Sequence, residues 1–466
     1  MSLRTSLLNA ALLVVGTIGF LACTDETIPG LSADDILPTA AKANSQNEGF
    51  EVWIADQSDT RPGYGGQLLV YEGSHLMGSA AAKTEPLARL DLGDATAAMC
   101  LAATGRNPVR PHMLAFNNGG THAILSFVAS GHVVIFDAES RAPVACFETS
   151  VGSTGTRQAH AAFAAPDGSY ILVANQNGKR LERINADFAT NSFTPDPAAM
   201  LDLATCTTPS GAPCEDPALR PINWPICPVI DASSRYAFVT LRGGGLFVVD
   251  AKAPQLAIVG EYDSATVNGN GCGGVQVGSQ MYVNSGGSPV NLSGTDPHHP
   301  LLNGFDVYRF PVTGFSGSNP ANTPEPDLIM SKSGNADSHG VAAAGNGRYV
   351  WVMDRHNDVA DIIAVESGQH VNTVSLNGTL TGNAAPDLAD IAPSGNRIFV
   401  ALRGPVPLSG DPHNATGATP GLGVIQITQG GRSGSLKTIV PIVNEKQQAG
   451  QAPDPHGIRV RVRVPR

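Results

Sequence analysis

The sequence predicts an all-β fold, a seven-bladed β-propeller closed by strands from both ends of the chain. Two observations carry that reading. A strand–turn–strand unit recurs along the chain, and self-similarity at such a period is the mark of propellers and solenoids. The composition agrees: among 466 residues Gly (52) and Pro (34) are abundant and only 15% are charged. That profile suits short strands joined by tight turns rather than helices. No heptad pattern or long amphipathic helix interrupts the repeats.

The repeat begins with an apolar strand and a turn such as Pro-Asp-Gly or Gly-Asn-Gly. A second strand, a loop and a third strand shaped like Val-Val-Asp follow. Residues 164–176, 231–242, 344–355 and 391–403 are the clearest copies, and less regular ones start near Pro111 and Gly271. Segments 133–137, 246–250 and 362–366 read as third strands, each trailed by a short fourth one such as 144–147 or 371–374. Six complete copies lie between Pro111 and about Val443. The remaining blade is split between 50–94 and 453–464: its second and third strands come first in the chain, and its first strand comes last. Closing a ring this way removes the exposed sheet edge that an open array leaves.

The N-terminus reads as an address. Arg4 precedes an apolar run from Leu7 to Ala22, which ends in Cys23 and turns polar at Thr24. The run is too short and one-sided for a transmembrane helix and fits a cleaved signal segment, residues 1–22. Leu21-Ala22-Cys23 resembles a bacterial lipobox. That resemblance implies a lipid on Cys23 and, with Thr24 behind it, the outer membrane, facing the periplasm or the cell surface. Residues 23–48 are small, polar and Pro-containing, as a flexible tether would be, and 49–466 form the propeller. The other cysteines, Cys100, Cys146, Cys206, Cys214, Cys227 and Cys272, make an even set for an oxidising compartment. Fifteen pairings are possible. Cys206 with Cys214 and Cys227 with Cys272 are the preferred ones. The formal charge of −11 argues against nucleic acid, which requires a concentrated basic face. The expectation is a monomer that touches the membrane only through its N-terminal anchor.

Aligning the blades on their first turn exposes a register. His112, His160, His339 and Asp387 occupy one slot in blades 2, 3, 6 and 7, and His456 aligns by its Pro-His-Gly in blade 1. Ile226 fills the slot in blade 4, and Asn270 or Gly271 in blade 5. Equivalent positions on innermost strands converge on the propeller axis, so five consecutive blades direct four imidazoles and a carboxylate to one point. A single Pro-His-Gly histidine ordinarily just bonds to a neighbouring strand. Four in register beside Asp387 point to a transition metal, with Cu or Fe favoured and Zn possible. Thiolate ligation by Cys227 and Cys272 is the minority alternative to their disulfide. Asp337 and Asp454, each two residues before a ring histidine, either orient imidazoles or cap turns.

These repeats resemble the YVTN-type, lactonase-like seven-bladed propellers over roughly residues 50 to 464. The resemblance implies the fold and leaves the activity open, because such propellers carry many activities or none. In ligand logic, not in motif, the ring is similar to the four-histidine iron site of carotenoid-cleaving oxygenases.

At the ends of the second strands, on the same face, stand Gln57, Gln176, Arg242, Arg355 and Arg403. Three guanidinium groups near a metal suggest a dock for an anionic small molecule. Pairing with local acids such as Asp354 is the alternative. Two long insertions, Asn284–Asn303 with His298 and His299, and Gly404–Gly421 with His413, leave this face, and long loops in a compact domain tend to be functional. The preferred reading of these three histidines is ordinary exposure, with capping of the site as the alternative. Ile458–Val464 alternates as a strand should, and its three arginines have no evident reason to be there. No His-Glu-x-x-His or phosphate-binding loop occurs. The function expected is that of a metal-dependent oxidoreductase acting on a small acidic or carbonyl compound, with Asp387, Arg242, Arg355 and Arg403 as catalytic groups. A lactonase-like hydrolase and a non-catalytic propeller that binds a protein or glycan are the alternatives.

Overall fold

A computed structural model describes residues 49–286, 304–316, 323–410 and 415–463. The expected signal segment, the tether, Cys23, His298, His299 and His413 lie outside them. The described chain forms strands numbered β1 to β28 in chain order, arranged as seven antiparallel four-stranded sheets. The all-β, seven-bladed architecture expected from the repeats is the one observed.

Each blade is built from consecutive strands except blade 1. There β28 (Pro455–Val462) lies beside β1 (Phe50–Asp56), followed by β2 (Gln67–Glu72) and β3 (Ala88–Asp91). The register runs from Phe50↔Val462 to Asp56↔Pro455. Two of the three arginines at this end of the chain, Arg461 and Arg463, now have a purpose. Arg461 is buried and places Nη1 on the Glu51 carboxylate at 2.9 Å and on the Ala138 carbonyl at 2.8 Å. Glu51 also accepts from Trp53 Nε1 at 2.8 Å and from Arg141 at 2.9 Å. Arg463 pairs with Glu72. The chain's two ends are therefore joined by one buried ion pair, Arg461–Glu51, and one partly exposed pair, Arg463–Glu72, as well as by the strand ladder.

Second strands such as β1 are buried along their whole length, because neighbouring blades cover both faces. Trp53 of blade 1 meets Phe116 of blade 2 edge-on, with ring centroids 5.4 Å apart. A short helix, Ala97–Thr104, closes blade 1 into blade 2 and ends at Gly105 with φ +77°, the left-handed conformation that favours glycine. The repeat pattern gave no hint of it. Three disulfides form: Cys100–Cys146 ties this helix to the outer strand of blade 2, Cys206–Cys214 closes a loop, and Cys227–Cys272 links blades 4 and 5.

Candidate metal centre

The second residue of the innermost strand is the position that matters. It is His112 in β4 (Pro111–Phe116), His160 in β8 (Ala159–Ala164) and Ile226 in β12 (Pro225–Ile230). It is His339 in β20 (Ser338–Ala344), Asp387 in β24 (Pro386–Ile391) and His456 in β28. Blade 5 departs from expectation. The Asn284 side chain receives the Gly273 N–H at 2.8 Å, as Ser126 and Thr240 receive those of Met113 and Cys227 at 3.2 and 3.3 Å. Met113 and Cys227 each follow the slot residue, so Cys272 fills the slot, not Asn270 or Gly271. The reason is the turn: Val277 pairs with Gln280 in blade 5, whereas Ala344 pairs with Tyr349 in blade 6. Counting back from a turn two residues shorter misplaces the strand.

Glycine follows the histidine in blades 6 and 1 because the blades touch there. A Cβ on Gly340 would lie 2.3 Å from the Asp387 carbonyl oxygen, and one on Gly457 2.3 Å from that of His112.

The ring residues separate into two donor groups. The ligand atoms of His339, Asp387 and His456 all lie within 4.8 Å of one another, and those of His160, Cys227 and Cys272 do likewise. His112 joins them, stacked on His456 at 3.8 Å between centroids and edge-on to His160 at 4.7 Å. His339 Nδ1 and Asp387 Oδ1 approach to 2.5 Å, yet both fall outside hydrogen-bond geometry. His112 Nε2 is buried with no hydrogen-bond partner. Buried polar atoms are nearly always satisfied, and these three meet at a group of residues that could hold a metal ion. Two further imidazoles, His122 and His132, show the contrast, since each has both ring nitrogens hydrogen-bonded.

The protonation states suit ligation. Burial, then the neighbouring imidazoles, holds His112 well below the usual histidine range, and His456 is likewise depressed, burial being the main cause. Burial and the charges of His339 and Arg242 bring His160 down to about 3. Burial alone would raise Asp387, but His456, His339, Arg355 and Arg403 outweigh it and hold the carboxyl well below its usual range. Neutral imidazoles facing an ionised carboxylate are the forms a metal requires. His456 Nδ1 lies 3.3 Å from the His112 carbonyl. Donation there leaves Nε2, which faces Asp387 at 3.8 Å, as the lone-pair nitrogen.

Two of the three arginines are committed within the protein, which corrects the expectation of a free anion dock. Arg403, fully buried, grips Asp454 through Nε and Nη2 at 2.7 Å each and Asp387 through Nη1 at 2.6 Å. Arg355 holds Asp337 at 2.7 Å and reaches Asp387 at 3.4 Å. Asp337 and Asp454 therefore neither orient imidazoles nor merely cap turns; they neutralise the arginines that hold Asp387. Arg242 is near enough to His160 to depress it.

The described part of the Gly404–Gly421 insertion folds over this cluster. Leu408 donates its N–H to Asp454 at 2.7 Å, and the Ser409 carbonyl accepts from Arg403 at 2.7 Å. Ser409 Oγ donates to Gln57 Oε1 at 2.6 Å, while Gln57 Nε2 lies 2.9 Å from His112 Nδ1. Nothing in the sequence pattern revealed this contact between loop and ring. The ring is thus roofed by residues 408–409 and floored by an apolar layer that includes Met113, Ala161, Cys227 and Leu388.

Fold and site together define a seven-bladed propeller with a histidine–aspartate ring on its axis. No family model matches the sequence, and no curated protein does either. Among solved structures the chain is similar to a hypothetical selenium-binding protein from Sulfolobus tokodaii (10% identity, TM-score 0.56, 91% of this chain and 97% of that one). It is also similar to a 6-phosphogluconolactonase candidate from Bacteroides uniformis (14% identity, TM-score 0.53, 89% and 100%) and to another from Bacteroides fragilis (12% identity, TM-score 0.52, 89% and 99%). At these identities the likeness establishes the fold, in agreement with the lactonase-like propeller architecture, and leaves the activity open.

Proposed function

We propose that the protein is an exported, metal-dependent oxidoreductase whose ion sits between His339 Nδ1, Asp387 and His456 Nε2, with His112 Nε2 beside them. The observation that carries the reading is the close contact of His339 and Asp387 without a hydrogen bond, next to an unsatisfied His112. A shared cation would account for two donor atoms that approach this closely outside hydrogen-bond alignment. Three nitrogens and one oxygen suit copper or iron, which would supply one-electron redox steps, and they also accommodate zinc. Asp387 serves as a ligand rather than a base, because a carboxylate held so acidic is a poor proton acceptor. Arg355 and Arg403 orient it, and the 408–409 roof shields the centre from bulk water. A small molecule is the substrate that fits a roofed axial site. The three disulfides support export into an oxidising compartment, and anchoring at the outer membrane through Cys23 completes the proposal.

The test is elemental analysis of the protein freed of its anchor, from Thr24 onward, beside a His112→Ala/His339→Ala variant. One copper or iron per chain, lost in the variant, supports the reading. Zinc redirects it to metal-assisted hydrolysis. Metal-free protein in both samples sinks it.

A further inference from the structure

The second donor group on the axis is not used by the centre proposed above. Cys227 and Cys272 are both buried, and the Cys227 sulfur lies 3.9 Å from His160 Nδ1. Cys272 Sγ is 4.0 Å from Met113 Sδ on the opposite side of the channel. The four side chains come from blades 4, 3, 5 and 2, so they share no local segment and meet because the innermost strands converge at the slot and the position just beyond it. Two sulfurs, a thioether and an imidazole form a soft donor set, whereas His339, Asp387 and His456 form a harder one. His160 is neutral, and the surroundings, Met113, Ala161, Ile226 and Leu388, are apolar. A site so lined disfavours hydrated, highly charged ions.

We infer that the Cys227–Cys272 disulfide is a redox gate on a second metal site, specific for a soft monovalent ion such as Cu(I). In the oxidised protein both sulfurs are committed to each other and neither offers a thiolate. A dithiol reductant opens the bond by exchange: the reductant becomes a disulfide, and Cys227 and Cys272 each take up one electron and one proton to become thiols. Binding of Cu(I) then releases the two thiol protons and places the ion between two thiolates, with His160 as the third ligand and Met113 alongside. The sequence shows why this pair differs from the others. Cys272 occupies the ring slot and Cys227 the position just beyond it in blade 4. Cys100–Cys146 and Cys206–Cys214, by contrast, join outer or loop segments. His132 near Cys100 and Cys146 already has both nitrogens bonded.

The inference is independent of the histidine–aspartate centre, and the test keeps them apart. The purified protein is divided into an oxidised sample and one reduced with a phosphine, and both are titrated anaerobically with buffered Cu(I). A Cys227→Ser/Cys272→Ser variant that retains the other two disulfides, and a His160→Ala variant, are run in parallel. Reduced wild type is expected to bind one Cu(I) more than oxidised wild type, with a sulfur-to-copper absorption band. The cysteine variant should lack that increment, and His160→Ala should bind it at least tenfold more weakly. Metal already present in the oxidised samples reports on the other centre alone. Should the serine variant not fold, His160→Ala with its disulfide intact carries the comparison. No added Cu(I) on reduction, or an equal increment in the cysteine variant, overturns the inference.

Discussion

Arg403 Nη1 lies 2.6 Å from Asp387 Oδ2, and neither side chain is exposed to solvent. That contact connects the frame of the propeller to its axis, because the same guanidinium group also grips Asp454 just before the strand that closes the ring. Breaking a buried pair by removing one partner leaves an uncompensated charge. Arg403→Ala is therefore expected to lower stability by about 3–5 kcal/mol, read from denaturant midpoints. Arg403→Lys should recover only part of this, since an ammonium cannot span both carboxylates. Full stability in Arg403→Ala would mean that Asp387 is held by other means.

Acid should weaken the metal-free fold in a defined window. His112, His160 and His456 are depressed in the folded protein, His160 to about 3, and His132 to about 4. The unfolded chain binds protons on these rings below about pH 6.5 while the folded chain does not. Their contribution is thus complete above that pH and lost as pH falls toward 4. Buried Asp56, raised to about 6, and buried Asp390, also raised by burial, act in the opposite direction but are outnumbered by the four histidines. Stability should fall by up to about 1.4 kcal/mol per pH unit for each of the histidines, and His160→Ala should flatten the slope by one share. A pH-independent midpoint between 6.5 and 4 would contradict the buried neutral ring.

The glycines after His339 and His456 set the spacing of the ring. Gly457→Ala drives a methyl group to 2.3 Å from the His112 carbonyl, so the blades must separate. We expect a stability loss of about 1–3 kcal/mol and weaker metal retention, whereas Gly378→Ala, with open space around its Cβ, should retain its metal. Thermal melts and metal content measured on both variants check this.

Loosening the roof should speed exchange at the centre without dismantling it. Asp454 accepts the Leu408 N–H, and Ser409 bonds both Arg403 and Gln57. Ser409→Gly is expected to leave metal stoichiometry intact and to raise the rate of metal loss to a chelator several-fold. An unchanged rate would show that residues 408–409 do not limit access.

The architecture was legible because propeller repeats repeat their turns, and a matched register carries His112, His160, His339, Asp387 and His456 to one axis without further information. Partners and local turn lengths were not legible. Cys272 was misplaced because the blade 5 turn is two residues shorter than its counterpart in blade 6, so a fixed count from the turn fails. The arginines were read as open to a ligand because a sequence shows their register but not their partners. Asp337 and Asp454 become those partners only when the innermost and second strands lie side by side. Arg461 was opaque for the same reason, as Glu51 lies more than four hundred residues away along the chain.

The central claim is that the ring holds an ion, and anomalous scattering from crystals of the protein as purified tests it most directly. The account predicts a difference peak at the absorption edge of copper or iron, about 2.0–2.2 Å from His339 Nδ1, His456 Nε2 and an Asp387 oxygen. A clean map with no peak on the axis, in protein grown with these metals available, would contradict it.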